Sequence, residues 1–270
     1  MNDLRVSLVQ TDIVWRDTDA NLRQLTEKIK PLAGATDLIV LPETFTSGFT
    51  DKPDHFSNGE CHQNQLISQW LLQQAVTTCT AICGSSIFAV DDGFVNRLLM
   101  ATPTGDMFHY DKVHLFRMGG EHKRYQAGSD RRVVTYRGWR LLLTVCYDLR
   151  FPVFCRNRND YDVMLCVANW PAKRRHHWRS LLMARAIENQ AYVLGVNRIG
   201  IDGKGLEYSG DSMAIDCMGN YLIDDEINQP WIKTTTLQSQ PLTEYRSKFP
   251  AWQDADDFEI IQKSPTSASH

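Results

Sequence analysis

Three polar residues that could cooperate in acyl transfer lie at the ends of apolar segments of the sequence. Glu43 follows an apolar run and a proline, Lys112 lies among aromatic and apolar neighbours, and Cys146 ends the apolar run 141–145. Acyl transfer through a thiol requires a nucleophile, a base that takes and returns its proton, and a positive donor that stabilises the tetrahedral oxyanion. A cysteine, a glutamate and a lysine are residue types that supply these functions, so the three together predict thiol-dependent acyl transfer.

Each of the three residues has an ordinary structural explanation when it is considered alone. Glu43 is typical of a loop or of the start of a helix, and a lysine such as Lys112 can lay its aliphatic stem along apolar surface. A lone cysteine such as Cys146 is usually an inert core residue. Cys146 nevertheless lies where a strand gives way to a polar turn, and the N-terminal charge of a helix that follows would lower the pKa of its thiol. The prediction therefore depends on the combination.

The elements that must position these residues alternate along the chain, with apolar, β-branched runs separated by segments of helical periodicity. The predicted strands cover 4–9, 38–41, 81–90, 95–102, 140–146, 162–168, 192–197, 212–215, 221–223 and 231–236. The predicted helices cover 20–29, 65–78, 153–159 and 175–190. The segment 91–93 has the composition of a hairpin turn. Two β-rich halves with helices on their outsides predict an α/β fold in which helices cover a pair of packed sheets.

The chain of 270 residues shows no Gly-, Ser- or Pro-rich linker, so we expect a single domain over 1–250. Residues 251–270 are expected to form a C-terminal extension that is partly disordered, because its end is rich in small polar residues. A domain of this size buries enough of its surface to be stable without disulfides or a metal ion.

The charge balance argues against partners that are recognised by electrostatic attraction. Lysine and arginine number 29 against 32 aspartate and glutamate residues, and the formal net charge is −3. Such a chain has no overall attraction for nucleic acid or an anionic membrane. The basic run 173–179 is most simply a solvated helix face, with nucleic-acid binding as the alternative. No stretch approaches the roughly 20 apolar residues that span a bilayer, and the N-terminus lacks a signal-peptide core. We therefore expect a cytoplasmic protein.

The seven cysteines are odd in number and lack a repeated spacing, which argues against a secreted disulfide framework. The adjacent His176 and His177 would point about 100° apart on a helix, so they do not form a metal-binding pair. Cys79 and Cys83 lack a second pair of ligands with suitable spacing. No Gly-rich nucleotide loop is present either. We therefore expect neither a metal ion nor an organic cofactor.

Five segments, in this order and at this spacing, resemble the nitrilase (carbon-nitrogen hydrolase) superfamily. They are LPETFTSGF, YDKVHLF, VCYDLRFP, VANWP and ARAIENQAYVLGVNR, and the resemblance covers residues 4–236. The phrases DKVHLFRMGGEHKRYQAG and AWQDAD are similar to the omega-amidase branch of this superfamily, in particular to bacterial enzymes that act on 2-oxoglutaramate. The resemblance implies a four-layer α-β-β-α sandwich and a homodimer.

The resemblance also implies a role for each candidate catalytic residue. Glu43 would be the general base, Lys112 the oxyanion donor and Cys146 the nucleophile. The backbone N–H of Tyr147 would complete the oxyanion hole, and Glu121 matches a second glutamate that the family places near the triad.

The substrate that the resemblance implies is the omega-amide of a 2-oxo dicarboxylic acid, either 2-oxoglutaramate or 2-oxosuccinamate. The products are the dicarboxylate and ammonia, released through an acyl-enzyme on Cys146. Another activity of the same scaffold, such as that of a nitrilase, a carbamoylase or an aliphatic amidase, is an alternative, because the fold and the triad do not distinguish these reactions. A non-catalytic pseudoenzyme that binds a metabolite is a further alternative.

The residues that bind this substrate are expected near the triad. Arg150 is suited to hold the carboxylate remote from the amide, because a guanidinium binds a carboxylate through two parallel hydrogen bonds. An ion pair of Arg150 with Asp148 or Glu188 is an equally good explanation. By their positions in the motifs, three further residues are expected to line the pocket, with Trp170 as readily a plain core residue: Phe116, Asn169 and Trp170.

Overall fold

Two β-sheets packed face to face form the centre of the protein in a computed structural model that describes residues 1–50, 60–91 and 93–260. In chain order the strands are β1 Leu4–Gln10, β2 Leu38–Val40, β3 Ala81–Val90, β4 Gly93–Ala101, β5 Met107–Asp111, β6 Arg132–Tyr136, β7 Trp139–Val145, β8 Val163–Ala168, β9 Tyr192–Asn197, β10 Ile199–Ile201, β11 Glu207–Ser209, β12 Met213–Ile215, β13 Tyr221–Asp224 and β14 Trp231–Leu237. The helices are α1 Thr18–Ile29, α2 Glu60–Thr78, α3 Pro152–Cys155, α4 Arg175–Asn189 and α5 Ser239–Lys248.

Both large sheets have six strands and the same mixed character. The first has the order β14-β1-β2-β3-β4-β5 and the second the order β13-β12-β9-β8-β7-β6. The inner neighbours β1, β2 and β3 run parallel, as do β7, β8 and β9, whereas the outer strands pair antiparallel. Strands β10 and β11 form a separate hairpin. Because parallel strands point the same way, the turns after β2 and after β7 each leave their sheet at its carboxyl edge.

The side chains of β2 show how the layers are built. Leu38 and Val40 point into the core between the two sheets, whereas Ile39 packs with the helix residues Leu25 of α1 and Leu71 of α2. Successive residues of a strand point to opposite faces, so a strand that is covered on both sides must be apolar throughout. This requirement explains the uninterrupted apolar run that precedes Glu43.

The outer face of the second sheet is covered by α4. Trp178 and Leu182 of this helix are fully buried. The helix approaches β9 so closely at Gly195 that a Cβ atom there would lie 2.4 Å from Leu182 Cδ1, which only glycine avoids. The layers are therefore helix, sheet, sheet and helix, and the predicted four-layer α/β sandwich is confirmed.

The elements differ from the sequence prediction mainly at their ends and in the short pieces. The helix predicted over 153–159 ends at Cys155, because Asn157 Oδ1 accepts from the backbone N–H groups of Asp160 and Tyr161 and so turns the chain out of the helix. Helix α2 starts at Glu60, earlier than predicted. Five elements were not predicted: β5, β6, β10, β11 and α5.

The division of the chain at residue 250 stays a prediction. The extension forms a 3₁₀ turn over Ala251–Asp254, and the backbone oxygen of Phe258 accepts a hydrogen bond from Arg158 Nη2 at 2.5 Å. The predicted disorder falls in part on 261–270, which lie outside the described residues. Within residues 1–50, 60–91 and 93–260, no helix has the length and apolar character of a membrane span, and no cluster of three His, Cys, Asp or Glu residues is arranged to hold a metal ion.

Candidate active site

Glu43 lies in the turn after β2, where side chains from both sheets hold it. The next residue, Thr44, has φ of 42°, a left-handed conformation that is costly for a β-branched residue. Two hydrogen bonds hold this strained residue, from Thr44 N to Ser85 Oγ at 2.9 Å and from Asn169 Nδ2 to Thr44 Oγ1 at 2.7 Å. The Glu43 carboxylate accepts from Asn96 Nδ2 at 2.8 Å on Oε1 and from the Asn169 backbone N–H at 2.6 Å on Oε2. Both carboxylate oxygens are therefore fixed in place.

Lys112 follows β5 directly and is only 1% exposed. Its backbone N–H donates to the carbonyl of Asn96 on β4, and its Nζ lies 3.0 Å from Glu43 Oε1 and 3.0 Å from Glu121 Oε1. The other oxygen of Glu121 accepts from the backbone N–H of Phe116 at 2.6 Å, which folds the loop back over the lysine. One buried ammonium is thus shared by two buried carboxylates, an arrangement that keeps the charge compensated inside the protein.

Cys146 is the first residue of the 3₁₀ turn Cys146–Arg150 that follows β7. Its φ of 49° is left-handed, so the chain bends sharply where the strand ends. Its Sγ lies 3.9 Å from the carbonyl oxygen of Asn169, and the residue is half-buried. Tyr147 is the second residue of the same turn, and a backbone N–H this early in a helical turn has no partner within the turn. The turn therefore presents a thiol and a backbone donor side by side.

Asp148, fully buried in the same turn, joins the cysteine turn to the lysine segment. Its Oδ2 accepts from the Val145 N–H at 2.8 Å and from the Tyr110 hydroxyl at 2.7 Å. Its Oδ1 accepts from the His114 N–H at 3.0 Å and lies 2.7 Å from His114 Nδ1. Val145 precedes the thiol residue, whereas Tyr110 and His114 flank Lys112 in sequence, so one carboxylate fixes the two segments relative to each other.

The pKa of the Cys146 thiol is shifted in the direction opposite to the one expected from the sequence. The pKa of Cys146 lies well above its usual value. Burial contributes most to this rise and the charge of Glu43 contributes next, while Lys112 opposes both. The expected lowering by a helix N-terminus was therefore wrong, because burial and a nearby carboxylate outweigh any charge that a turn of five residues supplies. The resting thiol at neutral pH is protonated.

Lys112 and Glu121 influence each other strongly. Burial alone would lower the pKa of Lys112, but the carboxylates of Glu121 and Glu43 outweigh it, and the pKa lies well above its usual value. For Glu121, burial raises the pKa and Lys112 opposes this effect, with a net rise. The lysine is therefore a fixed positive charge at neutral pH.

Glu43, Lys112 and Cys146 line one cavity of about 280 Å³. This volume lies near the lower end of the range for small-molecule sites, which are on the order of 300 to 1,000 Å³. Much of the wall is aromatic, and the rings belong to Phe49, Phe116, Tyr147, Trp170 and Tyr208. The cavity therefore suits a small molecule with an apolar middle and polar ends.

All four predicted substrate-binding residues also line this cavity. Trp170 faces the cavity and is not simply a core residue. Asn169 lines the cavity as well, and its backbone and side-chain N–H groups are used to hold Glu43 and Thr44. The ring of Phe116 contacts that of Tyr147, with centroids 5.0 Å apart.

Arg150 does not form the ion pair that was its alternative explanation. The carboxylate of Asp148 binds Tyr110 and His114, and that of Glu188 pairs with Arg185 at 2.8 Å. Arg150 instead lies with its Cζ 4.9 Å from the ring centroid of Trp170, and its Nη2 is 3.0 Å from His177 Nδ1.

Several residues of the site were not predicted from the sequence. Arg174 lines the cavity with its Cζ 5.3 Å from the centroid of Phe116, although it belongs to the basic run that was interpreted as a solvated face. Within that run, Arg175 and Arg179 form ion pairs with acidic residues of neighbouring segments. Asn96 was missed too, and its signal was weak because the charged Arg97 follows it in the same strand.

Almost the whole chain is similar to known hydrolases. The sequence profile of the carbon-nitrogen hydrolase family matches residues 5–247. The chain belongs to the carbon-nitrogen hydrolase family. It is 47% identical over 260 residues to omega-amidase YafV of Escherichia coli strain K12, a match that covers 96% of this chain and all of the relative. It is 30% identical to a 2-oxoglutaramate amidase of Bacillus subtilis, over 92% of this chain and 96% of that one. The predicted family and its omega-amidase branch are thereby confirmed, as is the prediction of an enzyme.

Solved structures of family members share the fold. A CN-hydrolase superfamily protein of Xanthomonas campestris, with an arsenic adduct in its active site, aligns with a TM-score of 0.91 and 45% identity over 97% of this chain and all of that one. Nit3 of Saccharomyces cerevisiae, a nitrilase superfamily member, aligns with a TM-score of 0.82 over 92% of this chain and 95% of that one. At 22% identity the second likeness concerns the fold alone.

Proposed function

We propose that this enzyme is an omega-amidase, which hydrolyses the terminal amide of a 2-oxo dicarboxylic acid, such as 2-oxoglutaramate or 2-oxosuccinamate, to the dicarboxylate and ammonia. The observation that supports this proposal most is the convergence of Glu43, Lys112 and Cys146 on one small cavity that also contains arginines. The similarity to omega-amidase YafV and to a 2-oxoglutaramate amidase gives independent support.

In the proposed first half-reaction, Cys146 attacks the amide carbonyl while Glu43 takes the thiol proton. The raised pKa of Cys146 makes a base necessary, because the thiol does not ionise by itself at neutral pH. The ammonium of Lys112 and the backbone N–H of Tyr147 stabilise the oxyanion of the tetrahedral intermediate. The carbon–nitrogen bond then breaks, the proton passes from Glu43 to the leaving nitrogen, and ammonia departs from a thioester.

In the second half-reaction, water replaces ammonia. Glu43 takes a proton from the water as its oxygen attacks the thioester carbonyl, and the same donors stabilise the second tetrahedral intermediate. The carbon–sulfur bond breaks, the thiolate of Cys146 regains the proton, and the carboxylic acid is released. Glu121, which does not line the cavity, acts in both steps by holding the ammonium of Lys112 in place.

A substrate panel tests the reaction. The purified protein is incubated with 2-oxoglutaramate, propionamide, an aliphatic nitrile and an N-carbamoyl amino acid, and ammonia release is measured for each. We expect kcat/KM to be highest for 2-oxoglutaramate, because this substrate combines an amide with the carboxylate that the arginines can bind. A preference for the nitrile or the carbamoyl compound would assign a different activity of the same family, and equal turnover of propionamide would refute the omega-amidase assignment.

We also propose that the enzyme is a cytoplasmic homodimer. Six cysteines of the described residues are free thiols, and a catalytic thiol must stay reduced, which suits the cytoplasm.

Ile187 of α4, Met218 and Tyr221 are about half exposed, and Ile187 and Tyr221 border one surface cleft. An exposed apolar patch of this kind is typical of an interface. Light scattering after size exclusion should give twice the chain mass of 30.9 kDa, and Ile187→Glu should shift it towards the monomer. A monomeric wild type would contradict the proposal.

A further inference from the structure

The charged side chains of the cavity differ in whether the protein already satisfies them. The ammonium of Lys112 is compensated by two carboxylates. The carboxylate of Asp202, which is 5% exposed, accepts from the hydroxyl of Tyr208 at 2.9 Å and from the backbone N–H groups of Lys204 and Leu206. These groups therefore have their hydrogen bonds within the protein.

Arg150 and Arg174 differ from these groups because neither is paired with a carboxylate among the described residues, although Nη2 of Arg150 lies 3.0 Å from His177 Nδ1. Each guanidinium lies over an aromatic ring of the cavity wall, Arg150 over Trp170 and Arg174 over Phe116. No carboxylate within residues 1–50, 60–91 and 93–260 pairs with either of them, whereas the nearby Arg175 forms an ion pair with Asp211 at 2.6 Å. A guanidinium that packs on a ring keeps those of its N–H groups that have no other partner available for a planar anion.

Trp170 contacts both arginines. Its ring supports Arg150, and its indole Nε1 donates to the backbone oxygen of Arg174 at 2.9 Å. Phe116, which supports Arg174, is itself anchored through its backbone N–H to Glu121. Both guanidinium groups are therefore positioned on the frame that also holds the catalytic lysine, and little side-chain freedom is lost when an anion binds.

We propose that Arg150 and Arg174 form a two-arginine clamp for the carboxylate of the substrate, with Arg174 as a specificity-determining residue. The inference rests on the proposed omega-amidase reaction and deepens it, because it explains why an amide with a carboxylate at its far end is preferred to a neutral amide. A charge-assisted pair of guanidinium and carboxylate, enclosed by aromatic walls, discriminates against substrates that lack the anion.

The first test measures selectivity. The variants Arg174→Gln, Arg174→Lys and Arg150→Gln are compared with the wild type in kcat/KM for 2-oxoglutaramate divided by kcat/KM for pentanamide, a neutral amide of equal chain length. We expect this ratio to fall by about tenfold to a hundredfold in Arg174→Gln, the effect of one lost hydrogen bond to a charged group. Arg174→Lys should recover part of the loss. Lys173→Gln is the matched control, because it removes the same charge from an exposed neighbour outside the cavity.

A second test separates the clamp from the proposed reaction. Binding of 2-oxoglutaramate is measured by titration calorimetry on protein with Cys146→Ala, with and without Arg174→Gln. A weaker affinity in the double variant, by at least about tenfold, supports the clamp even if the wild type hydrolyses no amide. An unchanged affinity and an unchanged selectivity ratio in Arg174→Gln overturn the clamp, even if the wild type prefers 2-oxoglutaramate. An equal loss in Lys173→Gln overturns it as well, since the effect would then be one of overall charge.

Discussion

Replacing Cys146 with alanine is expected to reduce amide hydrolysis by a factor on the order of 10⁶, the loss that follows removal of the nucleophile in other acyl-transfer enzymes. The reason is that no other cysteine lines the cavity among the described residues, so nothing there can substitute for the thiol. Ammonia release from 2-oxoglutaramate, followed over hours at high enzyme concentration, measures the residual rate.

A matched cysteine variant makes this loss interpretable. Cys79 follows α2, is exposed and does not line the cavity. Cys79→Ala should therefore keep full turnover, which shows that a cysteine-to-alanine change is harmless elsewhere. Iodoacetamide should inactivate the wild type and Cys79→Ala alike, because both keep the thiol at position 146.

The covalent intermediate can be trapped independently. Hydroxylamine added during turnover should divert the thioester to a hydroxamate, which the ferric chloride colour reaction detects, and the product should be missing with Cys146→Ala. If Cys146→Ala retained more than about 1% of the wild-type rate, far above the residual expected without a nucleophile, water would have to attack the amide directly. Cys146 would then not be the nucleophile.

Two of the candidate catalytic residues could be recognised from the sequence because each lies at a boundary that local pattern reveals. Glu43 and Cys146 follow strands that are apolar throughout, since both of their faces are covered. A polar residue directly after such a strand stands out against its neighbours. Local pattern does not say which strand ends meet. The three residues were grouped by the chemistry that their types supply together, and the resemblance to a known family agrees with that grouping.

The properties that depend on several segments could not be predicted in this way. The pKa of Cys146 is raised by burial and by Glu43, which lies more than a hundred positions away in sequence, and the local turn suggested the opposite direction. Arg174 and Arg175 are adjacent and chemically identical, yet one faces the cavity and the other pairs with Asp211. Only the packing of α4 against the second sheet separates their environments.

The short elements were missed for a related reason. Strand β11 and its partner β10 have three residues each, too few for a period to be recognised. Helix α5 has only one buried residue, Leu242, so its sequence shows no apolar stripe. Such pieces form because the rest of the fold supports them, a contribution that no local window of sequence contains.

Replacing Lys112 with methionine is expected to lower turnover of 2-oxoglutaramate by about a hundredfold to a thousandfold, the effect of losing one oxyanion donor. The change also removes the only positive charge that Glu43 and Glu121 contact in the described part of the chain. An uncompensated buried charge costs about 3 to 5 kcal/mol. Lys112→Met should therefore be less stable than the wild type at pH 8 by roughly this amount.

The pH dependence of that loss has a defined sign. In the wild type, Lys112 opposes the effects of burial and of Glu43 on the pKa of Glu121. Without the lysine, burial and Glu43 raise this pKa and are opposed only by the hydrogen bond from the backbone N–H of Phe116, so the pKa lies further above the value of the unfolded chain, about 4.3. A carboxyl whose pKa is raised in the folded state binds its proton more tightly there, so the folded protein is stabilised at low pH and loses this stability as the pH rises.

Urea unfolding at pH 5.5 and at pH 8 checks this expectation for the wild type, Lys112→Met and the double variant Lys112→Met with Glu121→Gln. The single variant should recover much of its lost stability at pH 5.5. The double variant should recover stability at both pH values, because one of the two buried carboxylates is gone, yet it should remain as inactive as the single variant. A deficit of Lys112→Met that is equal at both pH values would show that the lysine stabilises the site through packing and not through its charge.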